Sequence, residues 1–200
     1  MKTGQRQGGR TAAWPAPFFF IATGCVLLAD VVSWSSVLLV VAGLVIPGWL
    51  VSSALLFVLL VLVLVRAVMR RTVASEAAKR RSLPTRLAFA LMAGAAGLGS
   101  ALGAVSDLGA DYRILEPQGP DGCRAVTREV SFLFAGSGDV YAVGASGIGW
   151  RTSSWTADDG GRPIATGSYT LHWGLGGGVL TVSGSAGNPV WPSLHDVDCG

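Results

Sequence analysis

Two hundred residues accommodate one soluble domain, or a membrane part joined to a small domain. Half of them are hydrophobic, 14% are charged and the mean hydropathy is +0.52, which favours the second arrangement. The net charge of +3 is unevenly divided: residues 1–105 hold ten Lys and Arg against two acids, Asp30 and Glu76, and residues 106–200 hold five Arg against ten acids. A basic apolar half followed by an acidic half reads as two compartments and argues against nucleic acid as a partner.

Residues 1–16 are polar and basic (Lys2, Arg6, Arg10) and read as a cytoplasmic tail. Apolar character then runs from Phe18 to Val65, 48 residues. That exceeds the core of a secretory signal. Ala22-Thr23-Gly24-Cys25 has the outline of a lipidation motif, but the residues after Cys25 stay apolar, and a small cysteine inside a helix fits better. A single span needs about 20 residues, so 17–65 is read as two transmembrane helices. Ile46-Pro47-Gly48-Trp49 is the favoured outer turn, because Pro and Gly interrupt helices and Trp suits an interface. A weaker break lies at Ser33-Trp34-Ser35-Ser36.

Residues 66–86 carry seven Lys and Arg (Arg66, Arg70, Arg71, Lys79, Arg80, Arg81, Arg86) against one acid, Glu76. Such a loop stays on the cytoplasmic side and orients the chain. It also suits anionic lipid headgroups. Residues 87–105 are read as a third transmembrane helix. Ala95, Gly99 and Gly103 recur at four-residue spacing, a small stripe that lets helices approach closely, within the chain or between copies in a homo-oligomer. Three spans place residues 106–200 outside the cytoplasm, and the outer turn, without Lys or Arg, agrees. Asp30 is a possible intramembrane polar site, or a carboxylate hydrated near Ser33, Ser35 and Ser36.

Beyond residue 106 the pattern alternates with a period of two. Residues 125–134 predict a strand, Gly136–Asp139 a hairpin turn, and 140–143 its partner. Tyr169, Leu171 and Trp173 alternate with Thr170 and His172 in a further strand, which Gly174–Gly178 turns into 179–182. Weaker strand signals cover 112–115, 148–155 and 195–199. The expected fold is a membrane α part of three helices plus a small all-β domain, a β-sandwich or a curled antiparallel meander. Cys123 and Cys199 lie near the two ends of that domain. A small exported domain needs such a staple, so they are expected to pair. A closed loop of 77 residues contributes roughly 4 kcal/mol in the chain-entropy account.

Little in the sequence points to catalysis. His172 and His195 with Asp196 and Asp198 suggest a metal site at first sight, but strand parity sends them to different faces. No G-x-S-x-G, phosphate-cradling glycine loop or EF-hand spacing occurs, and no cofactor is expected. Trp150, Trp155, Trp173 and Trp191 supply core mass or a surface that stacks on sugars or grips a partner. Arg outnumbers Lys, and Ala and Gly abound, as in high-GC bacteria. Three spans before a disulfide-closed β-domain ending Asp198-Cys199-Gly200 resemble multi-pass actinobacterial membrane proteins, a likeness that implies no activity. The expected function is a non-enzymatic, membrane-anchored envelope protein whose exported domain binds or scaffolds a protein or glycan. The alternatives are an accessory or immunity-type subunit acting through helix packing, and a small envelope hydrolase.

Overall fold

The structure, a computed structural model, describes residues 16–72, 83–185 and 187–199. Helix α1 (Ala16–Trp34) ends where serines begin. The Ser33 and Ser35 hydroxyls donate to the carbonyls of Asp30 and Val32, competing with continuation of the helix. The weaker of the two sequence breaks is therefore where this helix stops. Strands β1 (Val37–Val41) and β2 (Leu44–Pro47) follow as a hairpin. Its two turn residues, Ala42 and Gly43, have φ of 51° and 82°, the left-handed backbone that tight hairpins require.

This corrects the expected outer turn near 46–49. Residues 37–47 are not the end of a span and a tight turn; they form two strands of the sheet built by the second half. β1 pairs with β6 (Ile148–Asp158) in the register Val37↔Trp150, Leu38↔Gly149, Leu39↔Ile148. The reason for the misreading is physical. VLLVV is apolar at every position, so it lacks the polar alternation that marks a half-buried strand and has the composition of a stretch of membrane helix.

Helix α2 (Gly48–Thr72) starts directly after Pro47. A Cβ on Gly48 would lie 2.7 Å from the Val37 carbonyl oxygen, so only glycine lets the hairpin return so closely. Helix α3 (Leu83–Ser106) carries Pro84 in its first turn, where the missing N–H costs nothing. The basic region expected as a loop over 66–86 is therefore partly helical: Arg66, Arg70 and Arg71 lie on α2 and Arg86 on α3. Lys79, Arg80 and Arg81 fall outside the described residues, as does the tail up to residue 15. Among the described residues two helices are long and apolar enough to cross a membrane, over Gly48–Val65 and Leu87–Ser106; the apolar run described in α1, Ile21–Trp34, is shorter.

The three helices pack through small side chains and hydroxyls. A Cβ on Gly99 would sit 2.9 Å from the Ser33 Oγ, and one on Gly103 2.7 Å from the Trp49 Cβ. These glycines make room for α1 and α2 of the same chain. Ala96 is fully buried, whereas Ala95 faces outward, so the inward stripe is Ala96, Gly99, Ser100 and Gly103. Ser100 Oγ donates to Ser52 Oγ at 2.9 Å, and Ser52 donates to the Ala29 carbonyl at 3.1 Å, joining all three helices in one buried relay.

The second half continues with β3 (Asp111–Ile114), a 3₁₀ turn at Pro120–Gly122, β4 (Arg124–Phe132), β5 (Ala135–Val143), β6, β7 (Tyr169–Gly174), β8 (Gly177–Val182), β9 (Val190–Trp191) and β10 (Leu194–Val197). One sheet has seven strands in the order β2-β1-β6-β5-β4-β3, with β9 also on β6; the other has three, β10-β8-β7. All pairs are antiparallel. The large sheet curls almost into a barrel. One face gathers Leu38, Val40, Val126, Tyr141 and Val143, with Val45, Tyr112 and Ile114 against them. The other packs on the small sheet through Ala125, Val140, Trp155, Leu180 and Val182. The expected all-β domain is thus present, enlarged by two strands from the first half.

The β4–β5 turn is another difference. Gly136–Asp139, expected as the turn, lies within β5, and the chain reverses at Leu133-Phe134. Gly136 and Gly138 are needed for close approach instead: a Cβ at Gly138 would overlap the Trp155 ring, at 2.0 Å.

Cys123 and Cys199 form the expected disulfide, with their Cα atoms 5.9 Å apart, and Cys25 is free. Thiol labelling of the denatured, unreduced protein should modify Cys25 alone. Replacing both bonded cysteines by Ala should lower stability by about 4 kcal/mol in denaturant unfolding; an unchanged midpoint would contradict the bridge's role.

Candidate functional site

The helices and the β-domain meet at one charged cluster. Asp107 follows the last turn of α3, and Arg128 points from the middle of β4 towards it. Arg128 Nε donates to Asp107 Oδ1 at 2.6 Å, Nη1 to Asp139 Oδ2 at 3.2 Å, and Nη2 to the Ser106 carbonyl. Asp107 also accepts from the Trp49 indole at 2.7 Å and from the Tyr112 hydroxyl at 2.9 Å. Asp139 in turn meets Arg151 at 3.2 Å. The cluster joins α2, α3, β3, β4, β5 and β6. Its central pair is nearly withdrawn from water, with 13% and 8% of the Arg128 and Asp107 side chains exposed.

Burial disfavours the Arg128 charge, yet the Asp107 hydrogen bond and the neighbouring Tyr112, Asp107 and Asp139 hold its pKa above the ordinary value. Burial also pushes the Tyr112 hydroxyl up, helped by Asp107. Arg128 is thereby held charged and the Tyr112 hydroxyl neutral. Such a cluster locks parts together.

A second buried carboxylate shapes a loop. Glu129, 2% exposed, accepts from the Ile164 N–H and the Ala165 N–H, both at 2.8 Å. Burial raises its pKa despite these two donors. It holds the loop at 159–168, whose Arg162 reaches the Gly109 carbonyl at 3.1 Å. Beside this loop is a groove of about 230 Å³ lined by Arg162, Thr166, Ser168, Ser183, Ser185 and Asn188.

The remaining candidates separate. His195 is buried and meets Ser153 Oγ through Nδ1 at 3.0 Å, with its ring 5.6 Å from that of Trp155. His172 is exposed on the other side of its strand, as parity predicts. Burial lowers the His195 pKa, partly offset by the Pro192 carbonyl and Asp196. The His–Ser pair is part-buried and lines neither groove. Among the described residues no three His, Cys, Asp or Glu side chains gather as metal ligands. Asp30 is half-buried one turn before the end of α1.

The tryptophans divide by burial, not by parity: a register shift between Val140 and Tyr141 puts Trp150 and Trp155 on the same face of β6. Trp155 is core at 1% exposed, and Trp173 is half-buried with its indole donating to the Pro117 carbonyl at 2.7 Å. Trp150, five positions from Trp155, is 60% exposed, and Trp191 is 72% exposed. Trp150 flanks a shallow hollow of about 200 Å³ shared with Ser146, Ile148, Asp198 and Cys199. The charged junction itself escaped the sequence reading, because Asp107, Tyr112, Arg128 and Asp139 are scattered over 33 residues and only strand register brings them together.

Arg128→Met leaves Asp107 and Asp139 without their shared partner and should cost about 3–5 kcal/mol in unfolding experiments. Adding Asp107→Asn should recover part of that loss. His195 yields a pH dependence. A folded-state pKa below the 6.5 of the free side chain means its contribution is complete above pH 6.5 and is lost as pH falls through the lowered value. The thermal midpoint should therefore drop on acidification below pH 6.5 more for the native protein than for His195→Gln; parallel curves would exclude this role.

Comparison with protein-family models, curated proteins and solved structures finds no match for this chain.

Proposed function

We propose that the protein is anchored in a cell membrane by its three helices, with a cytoplasmic N-terminus and an extracytoplasmic β-domain that binds a partner in the cell envelope without catalysis. The carrying observation is Trp150, 60% exposed over the hollow that ends at Cys199. An exposed indole with the Ser146 side chain near it offers stacking together with hydrogen bonding. That chemistry suits a sugar ring or a partner's side chain. Both hollows are smaller than the ~300 Å³ at which enclosed small-molecule sites begin, which favours shallow recognition of an extended partner over capture of a substrate.

The membrane placement draws on composition and exposure. In the apolar windows of α2 and α3 only 17% of residues are buried, and side chains such as Phe57, Leu64, Leu91 and Leu98 are exposed. Water would penalise such a surface and lipid accepts it. The basic residues between α2 and α3 favour the cytoplasmic side for that connection. The disulfide fits an oxidising exterior.

A second reading, an accessory or immunity-type subunit that packs against partner helices, has the outward Gly94 and Ala95 in its favour. Gly99 and Gly103 are already used within the chain. A small hydrolase is the least supported reading, since His195 is buried and its pair with Ser153 lines neither hollow.

A reporter fused after Gly200 should be active only in an exported-side format; cytoplasmic activity would overturn the topology. A photo-crosslinker at position 150 in intact cells should capture an envelope component that the same probe at position 172, exposed on β7, does not. Equal capture at both positions would remove Trp150 from the binding site.

A further inference from the structure

The β4–β5 turn is built against the usual rules. Tight hairpin turns favour Asn and Gly, which tolerate positive φ. Here the turn is Leu133-Phe134 with Leu133 at φ 54°, a backbone that disfavours a bulky side chain. The residues around it are also the most exposed apolar group of the large sheet: Phe132 at 73%, Leu133 at 76% and Phe134 at 81%. Strain and exposed aromatic surface at one turn point to a contact made outside the chain.

Register tells which way this surface looks. Side chains alternate along a strand, so Arg128, Val130 and Phe132 share one face of β4. Cross-strand partners share that face as well. Val130 is opposite Ser137, Ser137 opposite Thr156, and Thr156 opposite Trp191. The face that carries Phe132 and Trp191 is therefore the face from which Arg128 reaches Ser106 and Asp107 at the end of α3. The small sheet covers the opposite face. Phe132 lies about 13 Å along β4 from Arg128, on the same face of the sheet. Chain direction agrees. β3 leaves the end of α3 with Asp111 opposite Glu129, so antiparallel β4 runs back past that level to the turn.

We infer that this face rests on the lipid surface beside the helices, with Phe132, Leu133, Phe134 and Trp191 at the depth of the outer headgroups. The inference rests on the membrane reading above. Aromatic residues favour that depth because the ring is apolar and the rim of the layer is wet. Val130 lies between them, and the hydroxyls of Ser137 and Thr156 suit the polar edge of the lipid layer. Charge does not drive the contact, because the domain has five Arg against ten acids. Anionic lipid is not required.

The experiment uses the full chain with Cys25→Ala, reconstituted in phosphatidylcholine nanodiscs. A fluorophore is attached through one new cysteine at a time: Leu133→Cys, Leu175→Cys at the fully exposed β7–β8 turn of the small sheet, or Val61→Cys on α2. Lipids carrying a quencher just below the headgroup should quench the label at 133 several-fold more than the label at 175, and 500 mM salt or added anionic lipid should leave that ratio unchanged. Quenching at 61 with none at 133 overturns the surface contact and leaves the membrane reading intact. No quenching at 61 overturns both. A label at 133 that is shielded from aqueous iodide yet unquenched by lipid places the turn against protein and also overturns the proposal.

Discussion

The bond between Arg128 and Asp107 is the constraint on which the rest of the architecture depends. At 2.6 Å and nearly without water, it joins the end of a helix to the middle of a sheet. Its geometry needs three supports that look unrelated in the sequence. Gly103 leaves room for Trp49, Trp49 donates to Asp107, and Tyr112 supplies the other hydrogen bond to the same carboxylate. An ion pair so withdrawn from water is tolerated only when its remaining hydrogen-bonding capacity is met. Here Ser106, Asp139, Trp49 and Tyr112 meet it.

The hairpin of β1 and β2 makes the attachment twofold. The β-domain does not hang from the end of α3 on a linker. Its large sheet takes two strands from the connection between α1 and α2, and Leu38 and Val40 enter one of its buried clusters. Helix packing and sheet packing are therefore coupled. A shift of α1 against α2 moves β1, and through β6 it reaches Trp150, the partner of Val37. On the function proposed here, the exposed indole is held rigidly with respect to the helices, which suits a scaffold that fixes its partner at a set distance from a membrane.

Two buried polar groups refine the domain for different reasons. Glu129 is retained because the 159–168 loop offers two backbone N–H groups with no strand to pair them; a carboxylate with two oxygens satisfies both. His195 fills a core position beside Trp155 and bonds to Ser153. Both are positions where chemistry was conceivable from residue type, and in both the side chain serves the fold.

By itself the sequence determined the division into an apolar helical half and an alternating β half, because the hydrophobic period changes from continuous to two near residue 106. It determined the Cys123–Cys199 pair, since two cysteines at the ends of a small domain have few other fates. It also determined that His172 faces away from Tyr169, Leu171 and Trp173, because parity along a strand is local; Trp150 and Trp155, which a straight strand would turn opposite ways, are instead brought to one face by the irregularity between Val140 and Tyr141. Tertiary structure alone decided the rest. VLLVV could become helix or strand, and only pairing with β6 made it strand. Gly136–Asp139 has turn composition, yet the Trp155 ring needed Gly138 inside β5, so the reversal moved to Leu133-Phe134. The Asp107–Arg128 junction and the shared face of Phe132 and Trp191 depend on register between strands distant in the chain. Register is a property of the assembled sheet, and no local pattern encodes it.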